Sequence, residues 1–146
     1  MKITRHFVTI GNRRVHYRKA GSGPPLLMVH QSPRSSAEYE PLMTKWAEHF
    51  TCIAPDTPGF GQSDALPGDP DINDFAAALI QFMDAVGLER TAAYGFHSGG
   101  IILVSALKRN PSRFTALATG GYAVWTPEEM AIFDKDYLPP FRPSAY

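Results

Sequence analysis

Thr91-Ala-Ala-Tyr-Gly-Phe-His-Ser-Gly-Gly-Ile-Ile-Leu103 is the stretch whose reading decides the fold. A short apolar run breaks at Gly95, turns within a few residues, and restarts at Gly99 as a helical pattern through Asn110. Strand, sharp turn and helix in that order have a steric logic. The residue at the tip of so tight a bend holds a strained backbone, so the residues two before and two after it must lack colliding side chains. Gly95 and Gly99 flank position 97, which makes His97 the tip and Ser98 its neighbour opening the helix. The alternative register puts Ser98 at the tip and Phe96 where a small residue is needed, which leaves Ser98 as the second candidate.

Outside this stretch, composition narrows the field. A chain of 146 residues can bury one sizeable core. Its 44% hydrophobic and 19% charged residues are those of a globular domain. The formal net charge is zero, so nothing favours nucleic acid or an anionic membrane as a partner. A lone cysteine, Cys52, excludes an internal disulfide and reads as a buried structural thiol in the apolar run Cys-Ile-Ala. Met-Lys-Ile-Thr-Arg-His at the start lacks the apolar core of a signal peptide, and no run approaches a membrane span. The default location is the cytoplasm.

Taken in order, Phe7–Ile10 and Arg14–Lys19 read as strands joined by the hairpin signal Gly11-Asn12. Leu26–Val29 and Thr51–Ala54 are continuous apolar runs, which suits strands buried on both faces. Residues 38–49 read as a helix with Leu42, Trp46 and Phe50 on one side. A second helix spans Ile72–Val86 by its apolar spacing, capped by Asp71 or Asn73 and ended by Gly87. After the helix that follows the bend, Phe114–Thr119 reads as one more strand. Thr126–Phe133 is a short helix with Thr126 as N-cap and Pro127 at its first position. An opening hairpin followed by β-α-β-α-β-α-β predicts a mostly parallel sheet flanked by helices, an α/β fold.

Three motifs lie at strand ends. His30-Gln-Ser-Pro33 follows the third strand, Asp56-Thr-Pro-Gly-Phe-Gly-Gln-Ser-Asp64 follows the fourth, and Gly95-Phe-His-Ser-Gly99 follows the fifth. From about Phe7 to Thr119 the chain resembles the N-terminal half of an α/β-hydrolase-fold protein. The motifs look like that family's H-G-x-P segment, its D-x-P-G-x-G-x-S-D loop and its nucleophile elbow, G-x-Nuc-x-G. Gln31 stands where glycine is usual. The resemblance implies about six strands in the order 1-2-4-3-5-6. It also brings His30, Asp56 and His97 to one crevice outside the strands' carboxyl ends. Residues 1–120 would form the core, and 121–146 the start of a lid, with Trp125, Phe133, Tyr137 and Phe141 suited to an apolar cap or to covering a sheet edge.

By the same resemblance, His97 and Ser98 are the candidate catalytic residues. Backbone N–H groups of Ser98 and of Gln31 or Ser32 would hold an oxyanion, and His30 would orient that loop. Histidine can act as nucleophile or as general base near neutral pH. The implied function is hydrolysis of a small, partly apolar ester, amide or related substrate. Two readings stand beside it: a catalytically silent member binding a small apolar ligand, and a cofactor-free lyase or oxygenase using His97 as base. The family's acid and histidine would follow the sixth strand, and the chain stops at Tyr146, so the triad is incomplete here. The first expectation is a truncated fragment of a protein of about 250 to 300 residues. The second is a short form whose exposed sheet edge invites self-association. No metal is expected, since His30, Asp56 and His97 lack short ligand spacing. No cofactor is expected either: Gly59-Phe-Gly-Gln-Ser-Asp64 has Asp64 in place of the third glycine of a dinucleotide fingerprint.

Overall fold

The computed structural model describes residues 2–121 and 125–136, with the side chains of 133–136 excepted. Six strands form one sheet in the order β1-β2-β4-β3-β5-β6. They are β1 (Thr4–Ile10), β2 (Arg13–Ala20), β3 (Pro25–Val29), β4 (Thr51–Pro55), β5 (Thr91–Phe96) and β6 (Phe114–Gly120). The β1–β2 hairpin is antiparallel and closes on Ile10 opposite Arg13, so Gly11 (φ 62°) and Asn12 make the two-residue turn. β2 pairs antiparallel with β4, and every pairing from β4 through β6 is parallel. The helices are α1 (Glu40–Trp46), α2 (Ile72–Ala85), α3 (Ser98–Arg109) and α4 (Pro127–Asp136).

Period-two alternation in the central strands splits the core between the two sheet faces. Leu27 and Val29 of β3 and Ile53 of β4 join Leu79, Phe82 and Met83 of α2 and Leu103 and Ala106 of α3 in one buried cluster. Leu26 and Met28 of β3, with Cys52 and Ala54 of β4, join Tyr39, Met43 and Ala47 around α1 in the other. Both faces of β3 and β4 are therefore covered, as their unbroken apolar runs require. Burial also pushes the Cys52 thiol pKa up, which keeps the thiol protonated and inert.

The helix ends follow local chemistry. Asp71 caps α2 through a reciprocal box with Asp74. Gly87 (φ 70°) ends it in a Schellman arrangement, with Leu88 N–H on the Met83 carbonyl and Gly87 N–H on that of Asp84. Residues 38–49, expected as one helix, are instead a 3₁₀ turn over Ser36–Tyr39 followed by α1. Pro41 has no N–H for the carbonyl one α-turn back, so the α pattern cannot extend through it toward Ser36. At the tail, Thr126 caps α4: its hydroxyl accepts from Glu129 N–H, and Glu129 accepts from Thr126 N–H. Trp125 is 46% exposed. Tyr137, Phe141 and the Phe133 side chain, the other residues expected in an apolar cap, lie outside the described residues. Among the described residues no helix is long and apolar enough to cross a membrane.

Candidate active site at the carboxyl ends of β3, β4 and β5

His97 stands between β5 and α3 with φ 48° and ψ −122°, the only non-glycine positive φ among the described residues. Ser98 is the first residue of α3. The strained residue is therefore the imidazole and not the serine. The glycines on either side are held by close backbone approach. A Cβ on Gly99 would lie 2.0 Å from the Val29 carbonyl oxygen, and one on Gly95 would lie 2.8 Å from the Gly99 carbonyl. His97 N–H donates to the Gly120 carbonyl of β6 (3.0 Å), and the imidazole meets Phe96 edge-on with ring centroids 4.5 Å apart. His97 is exposed, with its Nε2 3.3 Å from where a side chain on Gly121 would begin. That open flank is kept by a glycine at φ 65°.

Sparsely populated backbone of this kind stores about 1–3 kcal/mol. Glycine there removes the strain but adds about 0.5–1 kcal/mol of unfolded-chain entropy. His97→Gly is accordingly expected to raise folding stability by about 1 kcal/mol while removing the imidazole. Urea unfolding of the two proteins measures it, and a variant less stable than the parent would show the bend to be unstrained.

The loop after β3 is wired more tightly than its sequence suggests. His30 is buried; its Nδ1–H donates to the Gln31 carbonyl (2.9 Å), and its Nε2 accepts from Thr57 N–H (2.9 Å). Those two bonds fix a neutral tautomer. Burial lowers the His30 pKa against the opposing pull of the Gln31 carbonyl and of Asp56 and Glu38. His30 thus ties the β3 loop to the β4 loop and has no free nitrogen for a substrate.

Gln31 N–H donates to Glu38 Oε1 (3.0 Å), and the Gln31 side-chain amide donates to Glu38 Oε2 (3.3 Å). Ser32 N–H donates to the Ser98 hydroxyl (2.7 Å). Both loop donors assigned to an oxyanion therefore already hold an oxygen. Ser98 N–H, in the first turn of α3 where no intrahelical carbonyl precedes it, has no acceptor among the described residues.

Asp56 leads the β4 loop, and its carboxylate bonds to Ser36, Gln62 and His16 rather than to His97 or Ser98. Its buried carboxylate accepts from Ser36 N–H (2.8 Å), Ser36 Oγ (2.5 Å), Gln62 N–H (2.9 Å) and His16 Nδ1–H (2.8 Å). Arg18, buried beside it, donates to Ser36 Oγ (2.6 Å) and to Glu40 Oε1 (2.8 Å). The structure thus brings Ser32 to Ser98 and His30 to Thr57, but sends the Asp56 carboxylate to His16 of β2. Among the described residues no cluster of His, Cys, Asp and Glu could hold a metal ion.

Sequence reasoning missed Glu38, Thr57 and the His16–Asp56–Arg18 group. Glu38 did carry a signal. Ser35-Ser-Ala-Glu38 has the spacing of a capping box, and Ser35 does cap the 3₁₀ turn through Ala37 N–H. Glu38 turns instead to Gln31, whose polar side chain occupies the place of glycine.

Residues 24–139 match the alpha/beta hydrolase fold family. The chain belongs to that family. It is 31% identical over 120 residues to haloalkane dehalogenase 2 of Mycobacterium tuberculosis, covering 82% of this chain and 42% of the relative. It is 34% identical over 101 residues to a soluble epoxide hydrolase of Corynebacterium sp., covering 69% of this chain and 35% of the relative. Among solved structures, the epoxide hydrolase CorEH superposes with a TM-score of 0.81 at 25% identity, over 92% of this chain and 50% of that one. The chain therefore spans less than half the length of these curated relatives.

Proposed function

We propose that the protein is a hydrolase of small, partly apolar electrophiles, an ester, an amide or a related substrate, in which His97 is the reacting side chain. The observation that carries this reading is the strained backbone of His97 at the bend between two obligatory glycines, where the fold presents its active group. Relatives named as haloalkane dehalogenase and soluble epoxide hydrolase place haloalkanes and epoxides beside esters in the substrate screen. In the simplest scheme the imidazole takes a proton from water, whose oxygen attacks the electrophilic carbon. The leaving oxygen, nitrogen or halide departs with the bonding pair, and a leaving oxygen or nitrogen takes back the proton held by the imidazolium. A negative charge developing on the substrate would face the open Ser98 N–H at the start of α3.

A second reading has its own support. Because Gln31 N–H and Ser32 N–H are both engaged, a silent member that binds a small apolar ligand fits the same site. Turnover of p-nitrophenyl esters, an epoxide and a bromoalkane separates the two. Under the hydrolase reading, His97→Ala falls by about 10²–10⁴, the usual weight of a positioned acid–base group, while Ser98→Ala keeps measurable turnover. A parent protein that turns over none of the panel yet binds an apolar ligand saturably would establish the silent reading. Loss of all activity in Ser98→Ala, with His97→Ala active, would return the reacting role to Ser98.

A further inference from the structure

The two engaged donors leave a question about how a charge beside His97 would be held. Gln31 N–H is not available, because the largely buried Glu38 carboxylate takes both it and the Gln31 side-chain amide. Ser32 N–H points at the elbow but ends on the Ser98 hydroxyl oxygen. A serine hydroxyl has one proton to give and can accept at the same time. At 2.7 Å from Ser32 N–H, the Ser98 oxygen acts as acceptor. Among the described residues its own O–H has no acceptor, and the side chain is only partly buried.

We infer that the Ser98 hydroxyl, fixed by Ser32 N–H, is the second donor to a negative charge beside His97, replacing the loop N–H that the fold would otherwise supply. This rests on the reading of positions 97 and 98 as the site. It assigns Ser98 a catalytic part distinct from that of a nucleophile, since no bond to its oxygen forms or breaks. The chain of donors runs from Ser32 N–H to the Ser98 oxygen and from the Ser98 proton to the charge. Accepting from Ser32 polarises the hydroxyl and makes it a better donor. Its geometry is fixed in advance, because Ser98 is held in the first turn of α3 and its oxygen is held by Ser32 N–H.

The test uses two independent readouts on the parent, Ser98→Ala and Ser98→Thr. Formate, titrated against the His97 ring resonances, reports anion binding whether or not any substrate is turned over. Steady-state kinetics on whichever substrate the panel yields reports the reaction. Ser98→Ala is expected to weaken formate binding about 10- to 100-fold, the weight of one hydrogen bond to a charged group. It should lower kcat by a similar factor with KM little changed, since the bond strengthens as charge develops. Ser98→Thr, which keeps a hydroxyl, should recover most of both.

Equal formate binding by the parent and Ser98→Ala overturns the inference, and so does a parent that binds no formate. A covalent substrate fragment on Ser98, seen by mass spectrometry, overturns it in favour of a nucleophilic serine. Formate binding that depends on the hydroxyl, in a protein that turns over nothing, upholds the anion site while discarding the hydrolase reading.

Discussion

Asp56→Ala is expected to lower folding stability by about 3–5 kcal/mol, the cost of removing one partner from a buried ionic group. Against a total of about 5–15 kcal/mol for a small domain, that leaves a marginal protein. The size follows from what is stranded. Ser36 loses the acceptor for both its N–H and its hydroxyl, Gln62 N–H loses its partner, and the buried His16 loses the contact of Nδ1. Because His16 Nε2 is already buried without a partner among the described residues, the ring would have no hydrogen bond to any of them at either nitrogen. Arg18 would keep a positive charge in a buried position, balanced only from Glu40. By contrast, the exposed Arg5–Glu40 contact at 4.0 Å contributes at most about 1 kcal/mol.

The same carboxylate gives the stability a pH signature. Burial pushes the Asp56 pKa up, but the hydrogen bonds from Ser36, Gln62 and His16 outweigh it and hold it below the usual carboxylate value. As pH falls, the unfolded chain takes the proton first, near about 3.9, so the stabilisation is complete above that range and is lost as pH drops through the lower native value. Asp56→Asn should therefore be less stable than the parent at neutral pH and show a flatter decline between about pH 5 and pH 3. Denaturant midpoints across that interval measure both effects. A parent-like slope in the asparagine variant would mean that other carboxylates govern acid unfolding.

The fold was legible because its signals are local. The unbroken runs Leu26–Val29 and Thr51–Ala54 carry their own evidence of two-sided burial, and Gly95 and Gly99 flank the bend that His97 occupies. The site was legible only in part, since its decisive contacts are not local. Ser32 meets Ser98 across 66 residues, and His16 meets Asp56 across 40. Nothing in either segment's periodicity encodes such a meeting; it exists once the sheet order sets β3 beside β5 and β2 beside β4. Glu38 is the instructive middle case. Its spacing from Ser35 announced a local cap, but the glutamine at position 31 offered two donors where glycine offers one, and the carboxylate went there.

Gly99→Ala is expected to destabilise the protein by more than about 3 kcal/mol, the upper end of ordinary overpacking. Intrinsic helix propensity pulls the other way: alanine is favoured over glycine inside a helix by about 1 kcal/mol. Sterics decides the sign. The new methyl would sit 2.0 Å from the Val29 carbonyl oxygen and 2.7 Å from that of His30. Both are backbone atoms at the buried carboxyl end of β3, and neither can swing aside as a side-chain tip would. Relief requires α3 to back away from β3, which parts Ser98 from Ser32. Gly95→Ala should cost less, because its nearest neighbour at 2.7 Å is the flexible end of Leu103, though the Gly99 backbone at 2.8 Å still resists. Gly87→Ala meets nothing within 4 Å and should cost only the positive-φ penalty of about 1–2 kcal/mol. The expected order of loss in urea unfolding is therefore Gly99, then Gly95, then Gly87. If Gly99→Ala proves as stable as the parent, α3 is not pressed against β3, and the close approach that sets His97 and Ser98 beside the β3 loop does not exist.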